Sequence, residues 1–170
     1  MTPSGSAQTT WVRVGIGEYA VSDRPEETII TAALGSCVAV CLWDPVAGVA
    51  GMLHFLLPDM RSNPVRAKEE PAAFADSGIP LLFRAAYEKG AVKKQCDVWL
   101  IGGADMTGNG QQAMVNMGQR NVIAARSILW RNGIMIRGEA VGGNSPRTVT
   151  LAVADGQITV KADGRIVSDL

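Results

Sequence analysis

Cys37 and the lone histidine His54, seventeen residues later, are the side chains of this chain best suited to chemistry. A thiol becomes a strong nucleophile when a neighbouring base takes its proton, and an imidazole does that near neutral pH. Covalent nucleophilic catalysis requires this pairing. Leu34-Gly35-Ser36 runs directly into Cys37. Glycine there lets the backbone turn sharply, which would hold a nucleophile rigidly at the first residue of a strand and near the surface.

The elements around the two residues must bring them together. The stretch Cys37-Val-Ala-Val-Cys-Leu-Trp43 is rich in β-branched and aromatic residues, Asp44-Pro-Val-Ala-Gly48 is a cluster of turn formers, and Val49 to Leu57 is apolar. Two such runs about a short loop predict an antiparallel hairpin. If Trp43 pairs with Gly48, Cys37 lies directly opposite His54, with Cβ atoms roughly 4.5–5.5 Å apart. Alternation sends Met52, His54 and Leu56 to one face and Leu53, Phe55 and Leu57 to the other. A charged imidazolium so placed would lower the thiol pKa, and a catalytic Cys37 should react fast with iodoacetamide even at mildly acidic pH, while a merely packed one should not.

A third residue should orient the imidazole, as in a triad. Thr28 and Thr31 lie on the preceding strand, Thr28 to Ala33, but three apart, so only one can face His54. The pattern does not choose between them. Asp44 and Asp59 are carboxylate rivals, one in the hairpin turn and the other beyond Pro58.

Other chemistries fit less well. Four residues of strand span roughly 13 Å, so one zinc ion could not hold Cys37 and Cys41 unless 37–41 were a helical turn. Cys41 and Cys96 read as core. Gly35-Ser36-Cys37 is superficially similar to papain-like proteases, but their histidine follows more than a hundred residues later, where this chain has none.

The 170 residues suit one domain with a real core, and 16 basic against 16 acidic residues give no excess for a nucleic-acid or membrane-surface partner. No apolar run reaches the roughly 18–20 residues of a membrane span, and the start lacks the features of a secretory signal. Residues 1–10 read as a disordered tail and 11–170 as the domain. Three cysteines without framework spacing suit a reducing compartment, and the expected location is the cytoplasm. Trp11 to Val21 reads as one or two strands broken by Gly15 and Gly17. Residues 59–77 form a proline-punctuated connection without structure of its own, a candidate lid because it leaves directly from the His54 strand. Helices are predicted from Pro80 to Lys89, with Ser77 as N-cap, and from Asn121 to Asn132. Further strands are expected over 97–101, 134–141, 148–153 and 157–162. The fold class is therefore α/β, a single-domain layered sandwich with a mixed, largely antiparallel sheet and at least two helices. Met106, Met114 and Met117 lie in a glycine-rich region that could form an adaptable contact surface or fill core gaps.

Thr31-Ala-Ala-Leu-Gly-Ser-Cys37, the run Val38 to Asp44-Pro45, and Gly51-Met-Leu-His-Phe-Leu-Leu-Pro58 closely resemble the CheD family of chemoreceptor glutamine deamidases. The stretch from Gly15 to Val21, with Gly102-Gly103-Ala104, Gly118-Gln-Arg-Asn121 and Gly142-Gly143, extends the likeness over nearly the whole chain after Thr10. Trp99, Met117 and Pro146 depart from the family pattern, and none touches the Cys/His block. The resemblance implies Cys37 as nucleophile, His54 as base and Thr31 as the residue orienting the histidine. It implies hydrolysis of a glutamine side-chain amide to glutamate through a thioester, with no metal or organic cofactor, and hydrolysis of glutamyl methyl esters by the same machinery. The implied substrates are the cytoplasmic helical regions of methyl-accepting chemoreceptors in bacterial or archaeal chemotaxis. A CheC-type phosphatase is an implied partner, and a non-catalytic regulatory protein engaging it is the alternative.

Overall fold

The computed structural model describes residues 9–107 and 116–170. Its strands are β1 (Thr10–Arg13), β2 (Glu18–Ser22), β3 (Glu27–Leu34), β4 (Val38–Asp44), β5 (Val49–Phe55), β6 (Asp97–Gly102), β7 (Ile136–Val141), β8 (Arg147–Ala152), β9 (Ile158–Ala162) and β10 (Arg165–Asp169). They divide into two sheets where the sequence suggested one. A front sheet has the order β1-β3-β8-β9-β10 and a central sheet the order β2-β5-β4-β6-β7. Each contains one parallel pair, β1 with β3 and β6 with β7, and the other pairings are antiparallel. The mixed, largely antiparallel character therefore holds in both.

Three α-helices are described, α1 (Pro64–Glu69), α2 (Ala75–Glu88) and α3 (Met117–Arg131). α2 and α3 lie on the central sheet opposite the front sheet, giving three layers. Val38, Val40, Leu42, Leu53 and Phe55 pack on Ile79, Leu82 and Phe83 of α2 and on Val122, Ala125 and Leu129 of α3. Burying each large side chain stabilises the fold by about 1.5–3 kcal/mol. The alternate residues Ala39, Cys41, Ala50 and Met52 face Ile29, Val149, Leu151 and Val160 of the front sheet. Among the described residues no helix is long and apolar enough to cross a membrane.

The hairpin register differs from the sequence expectation. Asp44 pairs with Val49 and Ala39 with His54, so the loop is Pro45 to Gly48. Gly48, at φ 65°, belongs to the turn, and its N–H donates to Asp44 O at 2.9 Å. Asp44 Oδ1 accepts from the Val46 and Ala47 N–H groups, closing the loop one residue later than composition suggested. His54 consequently faces Ala39, and Cys37 lies one diagonal step away. Both residue sets keep their faces because the offset preserves strand alternation.

Residues 59–77 are ordered into short 3₁₀ turns at Met60–Ser62 and Pro71–Ala73, with α1 between them. α2 begins at Ala75, before the predicted start, with Pro80 inside it, and Ser77 Oγ donates to Pro71 O rather than capping. α3 starts at Met117 because Asn116 and Gln119 form a capping box that the sequence reading passed over. β10 was also missed, following a tight turn at Asp163 and Gly164, both at positive φ. The expected N-terminal tail falls largely on residues 1–8, outside the described residues; β1 begins at Thr10.

Candidate active site

The chain passes from the front sheet to the central sheet at residues 14–17, between β1 and β2, and at residues 35–37, between β3 and β4. Both crossings lie beside His54. The Gly17 N–H donates to His54 O at 2.8 Å, and Glu18 pairs with His54 across β2 and β5. The second crossing requires an irregular backbone. The β3–β8 register shifts between Thr31 and Leu34, and Ala33 sits at φ 57°, in the left-handed region a side chain disfavours. Cys37 therefore lies just ahead of β4, with 6% of its surface exposed. That is more buried than the near-surface position expected from sequence.

Thr31 on the front sheet reaches across the layer to His54 on the central sheet, with Oγ1 2.7 Å from Nδ1. Thr28, at the other candidate position, points to the opposite face, as alternation requires. The Thr31 hydroxyl also donates to Val14 O at 2.6 Å. A carbonyl can only accept, so the single hydroxyl proton is committed to Val14. Oγ1 must then accept from His54, which puts the imidazole proton on Nδ1 and leaves the Nε2 lone pair free. Nε2 is buried and has no hydrogen-bond partner among the described residues. Cys37 occupies the diagonal position on the same face.

Burial pushes the Cys37 thiol above its ordinary value, against smaller pulls from its own backbone N–H and the Arg66 guanidinium on α1. Burial also lowers His54 to about 4. The resting pair is thus neutral thiol and neutral imidazole, not the preformed ion pair that would make Cys37 fast toward alkylation at mildly acidic pH. Desolvation works against separated charges here, so a thiolate–imidazolium pair is disfavoured at rest.

The glycine pair after β6 lets the backbone approach Cys37 closely. The Gly103 N–H donates to Cys37 O at 2.8 Å, and a Cβ on Gly102 would fall 2.3 Å from that same oxygen. α3 closes down in turn, since a Cβ on Gly118 would lie 2.5 Å from the carbonyls of Gly103 and Ala104. Among the described residues the Ser36 and Cys37 N–H groups donate to no backbone carbonyl.

The carboxylate rivals are placed elsewhere. Asp44 is buried in its turn and also accepts from the Val92 N–H, while Asp59 pairs with Arg61. Cys41 is fully buried in the core, whereas Cys96 is half-buried and packs against the helix-side core with its thiol donating to Val92 O. Among the described residues no three histidine, cysteine or carboxylate side chains are arranged to hold a metal. Met106 is exposed and lies against Gly35, and Met114 falls outside the described residues.

Residues 56–162, more than half of the chain, match the family model described as CheD chemotactic sensory transduction. A protein of Solibacter usitatus named "Probable chemoreceptor glutamine deamidase CheD" is 41% identical over 89% of each chain. "Probable chemoreceptor glutamine deamidase CheD 1" of Syntrophus aciditrophicus is 41% identical over 94% of this chain and 98% of its own. A Desulforamulus reducens relative with the first of these names is 42% identical over 90% and 91%.

The chain belongs to the CheD family. A solved structure, the Bacillus licheniformis hypothetical protein YfiH, overlaps 79% of this CheD-family chain at a TM-score of 0.45 and 13% identity, too distant to carry an argument. The family model begins after Cys37 and His54, so the case for those residues rests on geometry. Sequence reasoning missed two members of the site. Val14 contributes only a carbonyl and leaves no side-chain signal. Asn121 did leave one, as a fully buried polar residue on the α3 stripe formed by Gly118, Val122, Ala125 and Leu129.

Proposed function

We propose that this protein is a chemoreceptor glutamine deamidase in which Cys37 is the nucleophile, His54 the general acid–base and Thr31 the residue that fixes the histidine tautomer. The observation that carries this reading is the Val14–Thr31–His54 chain of hydrogen bonds, which leaves Nε2 unprotonated on the face it shares with Cys37.

Nε2 takes the Cys37 proton as the sulfur attacks the glutamine carboxamide carbon, and the carbonyl π electrons move onto oxygen. The Ser36 and Cys37 N–H groups are the donors available to that oxyanion. As the tetrahedral intermediate collapses, the C–N bond breaks and the imidazolium gives its proton to the departing ammonia, leaving a thioester. Neutral His54 then takes a proton from water as the hydroxide oxygen attacks. Cleavage of the C–S bond releases glutamate, and the thiolate recovers its proton from the imidazolium. Thr31 accepts from Nδ1–H throughout, stabilising the transient cation. Glutamyl methyl esters would follow the same course with methanol leaving.

The substrate segment is the cytoplasmic helical region of chemoreceptors, where the product adds a negative charge. The second reading is a non-catalytic regulatory protein engaging a CheC-type phosphatase, and the burial of Cys37 is the observation on its side. Mass spectrometry of a receptor cytoplasmic fragment decides between them. Gln-to-Glu conversion with the native protein and none with Cys37→Ala is expected, and conversion by the variant would remove Cys37 as nucleophile.

A further inference from the structure

β4 and β5 stop pairing at Val38 and Phe55, so neither Cys37 nor the residue after Phe55 belongs to the ladder. Beyond that point β5 peels away, and the Leu56 and Leu57 N–H groups both donate to Ala73 O, at 2.8 and 3.0 Å. The carbonyls of Ser36 and Leu56 are left facing the gap. Asn121, fully buried on α3, spans it: Nδ2 donates to Ser36 O and to Leu56 O, each at 2.9 Å. Ser36 directly precedes the thiol residue, and Leu56 is two beyond the imidazole.

Among the described residues two buried side-chain atoms have no partner, His54 Nε2 and Asn121 Oδ1. An apolar residue at position 121 would continue the buried stripe of α3 without that orphaned oxygen. Asparagine is suited to the place because one nitrogen carries two hydrogens in a plane, enough to hold two carbonyls at once. We propose that Asn121 is a positioning residue of the active site. It staples together the frayed ends of the two strands that carry Cys37 and His54, and so sets the separation between thiol and imidazole. The inference rests on the reading of those two residues as nucleophile and base.

Two substitutions in the full chain test this, with Cys37→Ala as control. Asn121→Leu keeps the volume, removes both bonds and also removes the orphaned oxygen. It should melt cooperatively and lose about 100-fold in kcat with KM nearly unchanged, because misplacement of reacting groups acts on the chemical step. Asn121→Asp turns two oxygens toward two carbonyls when ionised, and regains one donor when protonated. Its kcat should therefore rise as pH falls from 8 to 5, where native kcat stays flat. A folded Asn121→Leu with native kcat, or an Asn121→Asp profile parallel to the native one, overturns the inference. Failure of both variants to fold also overturns it, by making Asn121 a folding residue. Activity in Cys37→Ala sinks instead the reading on which it rests.

Discussion

Along β4 and β5 the residues pointing at the helices are Val38, Val40, Leu42, Leu53 and Phe55, all large and fully buried. Those pointing at the front sheet are Ala39, Cys41, Ala50, Met52 and His54, with Cys37 just beyond the ladder. One backbone carries both sets, and strand alternation keeps them apart. The helix face is close-packed, to the point that a Cβ on Gly78 would lie 3.1 Å from Leu53. The sheet face is cut back to alanine opposite the imidazole and retains a buried nitrogen without a partner among the described residues. Leaving such an atom unsatisfied costs about 1–3 kcal/mol. Stabilising packing is concentrated on one side of the central sheet and the proposed chemistry lies on the other, so substitutions on the two faces should separate the two properties.

The largest effect expected on the reactive face is that of Cys37→Ala, which should lower ammonia release from receptor glutamines by about 10⁴-fold or more without shifting the melting temperature appreciably. On the other face, Leu53→Ala should destabilise by about 2–5 kcal/mol in urea titration, with kcat unchanged well below the melting point. A fall in kcat comparable to the stability loss would mean that the faces are coupled.

The pH response of His54 sharpens the contrast. Above pH 6.5 the imidazole is neutral in both folded and unfolded chains, so it adds no pH dependence. Between 6.5 and the folded value of about 4 only the unfolded chain takes up the proton, and stability falls, by on the order of 3 kcal/mol in full. Denaturation at pH 7 and 4.5 should show this loss in the native protein and not in His54→Gln; equal losses would place the acid sensitivity elsewhere. The acid limb of kcat/KM should likewise lie well below 6.5. Thr31→Val comes last, removing the acceptor for Nδ1–H and lowering kcat by about 100-fold, while Thr31→Ser stays near native. An equal loss in Thr31→Ser would show that the methyl group, rather than the hydroxyl, matters.

Local pattern was enough for the hairpin, the separation of its faces and the exclusion of Thr28 or Thr31 from His54's side, because period-two alternation survives an error in loop placement. It was not enough for the register, since Asp44-Pro-Val-Ala-Gly48 permits closure at either end and hydrogen bonds to the Asp44 side chain decide which. The order within 59–77 was hidden because its support comes from bonds between residues well apart in the chain, with Ala73 O accepting from Leu56 and Leu57 and Asp76 accepting from the Met60 N–H.

By itself the sequence determined which residue types could react and that Cys37 and His54 share a face. Tertiary structure alone decided the rest. Thr31 meets His54 from a different sheet, the Val14 carbonyl dictates which ring nitrogen is free, and Asn121 joins two strands from a helix far along the chain. Burial then sets the thiol and imidazole neutral. These are contacts between residues distant in the chain, and desolvation depends on what surrounds a group in space rather than on its neighbours in sequence.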